Sequence, residues 1–278
     1  MSAFEEHRRH LWGVAYRILG TVTDADDAVQ ETWLRWNKAD EAHVKDVRAY
    51  LTTIVSRVAY DLARPGREAY VGEWLPEPVL DDAGPEARAE LDESIGMAML
   101  AVMERLSPAE RTSFVLHDVF AMPYDEIAGI VGRSAGAVRQ LAARARKRVH
   151  DYAPRRSNDR EAHHRAVEAF STAAVMGDLT ALVAVLDPDV VWRSDGGGKV
   201  TAARWALSGR DLVAKLVLSM VKALQDGMTV RFCDVNGAPG VVVHDRGEPD
   251  TVIAFTVADG VITELDIVRN PDKLRHVR

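Results

Sequence analysis

Apolar residues recur along this chain first at helical and then at strand spacing, and the change of period divides it. Leu11, Val14, Ala15 and Ile18 lie on one face of a predicted helix running from Phe4 to the breaker Gly20. Thr23 is the expected cap of the next helix, with Asp24, Asp26 and Asp27 in its first turn and Trp33, Leu34 and Trp36 behind them. A third helix is predicted from about Val47 to Arg64, with Tyr50, Leu51, Ile54, Val58 and Leu62 as its apolar side. Leu91, Ile95, Ala98, Val102 and Leu106 then restart the period, and Ser107-Pro108-Ala109-Glu110 reads as a capping box opening another helix. Beyond Arg160 two helices (161–176 and 179–186), a strand at Val190–Arg193 and a helix over 209–224 precede alternating runs from Met228 onward, with an Asp259-Gly260 hairpin turn. Helices followed by antiparallel strands predict an α+β domain of about 120 residues.

Two polar stretches separate these blocks. Residues 73–93 hold three prolines and eight acidic residues against one base, Arg88, which marks an acidic linker, extended where Pro follows. Within it lies Trp74-Leu75-Pro76-Glu77-Pro78, and an apolar Trp-Leu pair in an acidic linker implies that something covers it. Residues 153–160 form a second linker. The predicted division is therefore 1–72, 73–93, 94–152, 153–160 and 161–278, a multidomain chain with two all-α helical domains followed by an α+β domain.

Composition narrows the function. A net charge of −7 over 278 residues excludes a globally basic nucleic-acid binder, so any DNA contact must come from local patches. Cys233 is the single cysteine, which excludes an intrachain disulfide and a cysteine metal cluster and suits a reducing cytoplasm; its strand-like surroundings suggest a small buried hydrophobe. The charged N-terminus has no signal-peptide core, and no window reaches the ~20 apolar residues of a membrane span. The expectation is a soluble cytoplasmic protein with no metal and no cofactor.

Against that acidic background one stretch stands out. In Pro123–His150, Tyr124, Ile127, Ala128 and Val131 form one apolar face, Gly132-Arg133-Ser134 breaks it, and Val138, Leu141, Ala142, Ala145 and Val149 form the next. From Arg133 to His150 there are six Arg or Lys residues (Arg133, Arg139, Arg144, Arg146, Lys147, Arg148) and no acid. Two helices about a Gly-containing turn, the second with a one-sided basic face, describe a helix-turn-helix; an ordinary amphipathic helix with a solvated face is the alternative, although such faces are usually of mixed charge. The helix over 47–64 offers a second surface, in which Tyr50, Thr53, Ser56, Arg57, Tyr60 and Arg64 interleave groups able to stack on bases and grip phosphates.

The order of these elements over the first 150 residues resembles the extracytoplasmic-function class of sigma-70 family factors. That resemblance implies that Asp26, Asp27, Gln30, Glu31, Trp33 and Leu34 dock on core RNA polymerase, and that the helix carrying Tyr50, Thr53, Ser56, Arg57, Tyr60 and Arg64 opens and reads the −10 element of promoter DNA. It implies further that Ser134, Arg139, Gln140, Arg144 and Lys147 read the −35 element. Where many members carry Asn in the −10 helix this chain has Arg57, so base preference does not transfer. Three further motifs resemble a SigJ-like subgroup with a SnoaL-like, cone-shaped C-terminal extension: Trp74-Leu75-Pro76-Glu77-Pro78, Asp195-Gly196-Gly197-Gly198-Lys199 and Asn270-Pro271-Asp272-Lys273-Leu274.

The resemblance implies that the extension takes the regulatory role of a separate anti-sigma factor. The Trp74-Leu75 pair in the acidic linker suggests in addition that the glycine loop and the C-terminal motif lie against the linker or the first domain, setting how far the two DNA-binding domains can separate. A small-ligand sensor and a cyclase- or isomerase-like enzyme are the alternatives for the extension, with Asp195, Trp192, Arg193, His244 and Asp266 as pocket candidates. The triple glycine is read either as an anion cradle or as a loop closely approached by another part of the chain.

Overall fold

The computed structural model describes residues 3–40, 43–63, 70–80, 96–152, 157, 159–223 and 227–277. Its contacts group the chain differently from the five segments expected: residues 1–67 with 102–153 cluster as one unit, and 68–101 with 154–278 as the other. Residues 73–80 of the linker thus group with the extension.

In the first unit, α1 (Ala3–Leu19), α2 (Val22–Trp36) and α3 (Val47–Leu62) close around Leu11, Val14, Ile18, Val29, Trp36, Leu51 and Val55. The cap of α2 is Thr21 rather than Thr23, its side chain accepting from the Asp24 N–H. The apolar side of α3 is rotated from the predicted one. Thr52, Val55, Ser56 and Ala59 are buried, whereas Tyr50 and Leu62 are exposed, because small residues let α3 lie close against its neighbours. The second half of the unit begins within α4 (Met97–Met103). The capping box at Ser107–Glu110 opens α5 (Pro108–Phe114), which runs on through a π-helical turn at Val115–Val119. Next come α6 (Tyr124–Val131) and α7 (Ala135–Tyr152). Gly132 ends α6 at φ +67° with its N–H on the Ala128 carbonyl, and Ser134 accepts from the Ala137 N–H to open α7.

In the second unit, α8 (Arg160–Met176), α9 (Leu179–Val185) and α10 (Arg210–Lys222) accompany a sheet of β1 (Leu186–Asp195), β2 (Leu207–Ser208), β3 (Met228–Val235), β4 (Ala238–Asp245), β5 (Glu248–Ala258) and β6 (Val261–Val268). The strand order is β2-β1-β6-β5-β4-β3. The run β3–β6 is antiparallel as expected, but β1 pairs in parallel with β6, in a register that sets Asp195 opposite Val268. The glycine loop after β1 and the C-terminal motif after β6 therefore leave the sheet side by side.

Strand alternation gives the sheet two apolar faces. Trp192, Val241, Val243, Ile253, Phe255, Leu265 and Ile267 meet the helices through Val167, Phe170, Val213 and Val217. Val235, Val242, Val252, Ala254 and Val268 meet Leu75, Met97, Ala101, Leu274 and Val277 instead. Cys233 packs at the edge of this second cluster and is only partly buried. Among the described residues, no helix is long and apolar enough to cross a membrane.

Candidate functional site

The three short motifs converge on the second face of the sheet. Asp195, at the end of β1, is fully buried. Its carboxylate accepts from the Tyr70 hydroxyl at 2.5 Å, the Leu75 N–H at 2.9 Å and the Lys273 ammonium at 2.6 Å. Lys273 also donates to the Leu75 carbonyl and lies 3.9 Å from the centroid of the Trp74 ring and 5.0 Å from that of Tyr70. Linker, glycine loop and C-terminal motif thus each satisfy a buried charge carried by another, the condition under which buried charges persist.

Further bonds fasten the linker along its length. Asn236 and Val79 exchange backbone and side-chain bonds at 2.8 and 3.2 Å, and Leu80 makes a β-bridge with Val235. His276 lies 2.7 Å from the Pro78 carbonyl. Leu75, Pro76, Glu77 and Pro78 are buried, and Lys199 pairs with Asp272 across the two motifs.

The triple glycine is a site of close approach. Gly197 has φ +60°, and a Cβ there would stand 2.3 Å from Asn270 Nδ2. Asn270 donates from that nitrogen to the Tyr70 hydroxyl at 2.8 Å. Gly196 is comparably confined, since a Cβ would meet the Val200 carbonyl oxygen at 2.5 Å. A side chain at position 197 would displace the residue that orients Tyr70 on Asp195. Gly198 is exposed, and Gly197 donates its N–H back to Asp195 at 3.0 Å.

The pocket candidates fall elsewhere. A cavity of about 140 Å³ opens on the helix side of the sheet, lined by Phe170, Val217, Met220, Val241 and Phe255 among others, with Asp250, Thr251 and Arg269 as polar groups. Trp192, Arg193, His244 and Asp266 do not line it. Trp192 packs in the helix-side core without lining the cavity. Arg193 and Asp266 are one residue out of phase with that face and point to the opposite one. There Arg193 bonds Asp266 at 2.7 Å and Glu264 at 2.6 Å, all three buried. Burial opposes the charge of Arg193, but Asp266 and Glu264 more than offset it and raise its pKa. Tyr70, Asn236, His276, Asp250 and Arg269 escaped the sequence reading, because their partners are far along the chain and none sits in a periodic pattern.

In the first unit, Asp26, Asp27, Gln30, Trp33 and Leu34 are exposed along α2, and Glu31 is half-buried and paired with Arg35. Trp12 donates to Asp26 at 2.8 Å. Of the residues expected on the −10 surface, Tyr50 and Arg57 are exposed and Thr53 and Tyr60 are partly so; Arg64 lies outside the described residues. Ser56 is fully buried and cannot touch a base, a consequence of the rotated face of α3. Arg57 donates to the Gly129 carbonyl of α6 at 2.6 Å. Ser134, Arg139, Gln140, Arg144 and Lys147 are exposed on α7, with the Arg139 guanidinium 5.4 Å from the centroid of the Tyr124 ring. Tyr60 and Asp61 of α3 and Arg133 and Arg144 line one cleft of about 570 Å³.

Comparison with known proteins accounts for this layout. Residues 3–68 match the model of sigma-70 region 2, and residues 96–149 that of sigma-70 region 4. The chain is 42% identical to the ECF RNA polymerase sigma factor SigJ of Mycobacterium tuberculosis, over 98% of this chain and 92% of that protein. It is 30% identical to the sigma factor SigG of the same organism, over 87% of this chain and 72% of the other. The crystal structure of M. tuberculosis SigJ superposes with a TM-score of 0.80 at 40% identity, covering 98% of this chain and 97% of that one. With both sigma-70 regions in place and similarity running through the extension, the chain belongs to the extracytoplasmic-function sigma factors of the sigma-70 family, in the SigJ-like subgroup, and directs promoter-specific initiation by core RNA polymerase.

Proposed function

We propose that the extension controls this sigma factor by holding the linker between its two DNA-binding regions. The observation that carries the reading is Asp195, whose buried carboxylate is satisfied jointly by Tyr70, Leu75 and Lys273. A linker fixed over residues 70–80 has fewer ways to span the distance that polymerase imposes between regions 2 and 4. The effective concentration of the second grip depends on that freedom. Release of the cluster lengthens the usable linker.

Docking falls to the exposed α2 face, with Trp33 and Leu34 as apolar anchors among Asp26, Asp27, Gln30 and Glu31. Arg139 and Gln140 suit base edges, and Arg144 and Lys147 suit phosphates. Tyr50, Thr53, Arg57 and Tyr60 supply the aromatic and basic face that holds unpaired bases. The chain works where polymerase does, in the cytoplasm. The extension acts as a control element and not as an enzyme, since Asp195 and Asp266 are both engaged by cations on the face opposite the cavity.

Run-off transcription with core polymerase tests the reading. Lys273→Met and a chain ending after Val268 should both change promoter-specific output, with release raising it several-fold. Unchanged output from both, and from a chain ending after Tyr152, removes the regulatory role.

A further inference from the structure

We infer that Tyr124 and His117 are positioning residues for promoter reading: they hold the Arg139 side chain in the orientation in which it meets base edges. Arg146 belongs to this support and not to the set that contacts DNA. The inference deepens the base-reading role proposed for Arg139 and rests on it.

The observation is a ladder of three side chains from three elements. The His117 ring, in the π-helical turn, stacks on the Tyr124 ring with centroids 3.9 Å apart and planes 25° from parallel. Tyr124 opens α6, and the Arg139 guanidinium of α7 lies 5.4 Å from the centroid of the same ring. His117 is itself fixed, because its Nδ1 lies 3.1 Å from the Met122 carbonyl oxygen and serves as the donor there. A guanidinium drawn to an aromatic face gives up rotamers that it would otherwise sample in water.

A second tie lies beside the first. Arg146 stands seven residues beyond Arg139, two turns along the same face of α7. It donates to Asp118 Oδ1 at 2.8 Å. Its side chain also bonds that of Tyr124, and Tyr124 and Asp118 together raise its pKa. A phosphate approaching Arg146 therefore meets the Asp118 carboxylate as well, which cancels much of the attraction.

The backbone that delivers His117 and Asp118 is uncommon. The Phe120 N–H bonds the Val115 carbonyl at 3.2 Å and the Met122 N–H bonds the Leu116 carbonyl at 2.9 Å. Ala121 between them sits at φ +53°. π-helical turns and left-handed residues other than glycine are costly, and they concentrate where function needs the geometry. Here that geometry brings His117 to Tyr124 and Asp118 to Arg146. Ordering Arg139 before DNA arrives removes the cost of immobilising it from the binding step, a several-fold effect for one rotamer-rich side chain. The gain goes to the matching base pair, because a fork aimed at one base edge is misplaced for another.

The test uses the full chain with core polymerase, a promoter it transcribes, and copies of that promoter with each −35 base pair changed. Tyr124→Leu should lower the preference for the parent −35 element several-fold and leave the salt dependence of binding unchanged. His117→Leu, which leaves α6 intact, should act in the same direction. Tyr124→Phe, which keeps the ring, should retain the preference. Tyr124→Leu added to Arg139→Ala should reduce it no further than Arg139→Ala alone. Arg146→Gln should leave the salt slope unchanged, whereas Arg144→Ala lowers it by about one. Preference kept in either leucine variant, with binding weakened equally across all copies, makes the ladder mere packing and overturns the inference. Additive losses in the double variant, or a lower slope in Arg146→Gln, also overturn it. Arg139→Ala separates it from the reading beneath. Preference lost in Arg139→Ala and kept in Tyr124→Leu leaves the base reader standing and removes its support. Unchanged preference in Arg139→Ala removes both.

Discussion

Lys273 places its ammonium 2.6 Å from Asp195 Oδ2, with both side chains almost wholly buried, and the two residues come from motifs 78 positions apart. Removing either partner alone strands a charge, at a cost of about 3–5 kcal/mol, whereas replacing both with neutral groups is often tolerated. Lys273→Met and Asp195→Asn should each lower the unfolding free energy of the second unit by an amount in this range. The double variant should lose less than the sum. A double-mutant cycle by urea unfolding checks it, and strict additivity would show that the pair is uncoupled.

Gly197→Ala forces a side chain into the left-handed region and against Asn270, so a loss of about 1–3 kcal/mol and release of Tyr70 are expected. Gly129→Ala is the contrast. That glycine lies inside α6 with open space around it, and alanine there should stabilise by about 0.5–1 kcal/mol. Thermal scans of the two variants should move in opposite directions.

On α7, Arg144→Ala should weaken promoter binding by the holoenzyme across sequences and flatten its salt dependence, while Arg139→Ala should relax sequence choice. Trp33→Ala should lower affinity for core polymerase with little change in Tm, because the side chain is 42% exposed. A fall in Tm as large as the loss of affinity would make Trp33 a packing residue.

Acid should unfold the chain earlier than its carboxylates alone require. Burial holds His163 and His10 at a pKa of about 4 against an ordinary value of 6.5, with Arg160 and Arg48, respectively, adding to the shift. Between those values the unfolded chain binds more protons than the folded one, so stability is complete above about pH 6.5 and is lost as the pH falls toward 4. His163→Gln should flatten that acid limb in pH-dependent thermal scans. An unchanged limb would mean that His163 does not titrate there.

Much of this architecture was legible from local chemistry. The Ser107 capping box, the Gly132-Arg133-Ser134 turn and the basic face of α7 are all decided within a few residues, and each forms as expected. The cover over Trp74-Leu75 also followed from an apolar pair in an acidic linker, and Leu75 is fully buried. What was hidden depended on phase and on distant pairing. The face of α3 rotates because small residues there pack closely, which buries Ser56. Arg193 and Asp266 lie on the far side of the sheet because they alternate with Trp192 and Leu265, which meet the helices, and with both faces covered no short window reveals which is which. Tyr70 and Arg269 bear on distant parts of the chain, so neither stood out among its neighbours.

The parallel pairing of β1 with β6 has a consequence for biosynthesis. Asp195 finds no lysine until translation has passed residue 273, long after regions 2 and 4 have emerged and begun to fold. A nascent chain therefore carries regions 2 and 4 complete before the Asp195–Lys273 pair that fastens the linker can form.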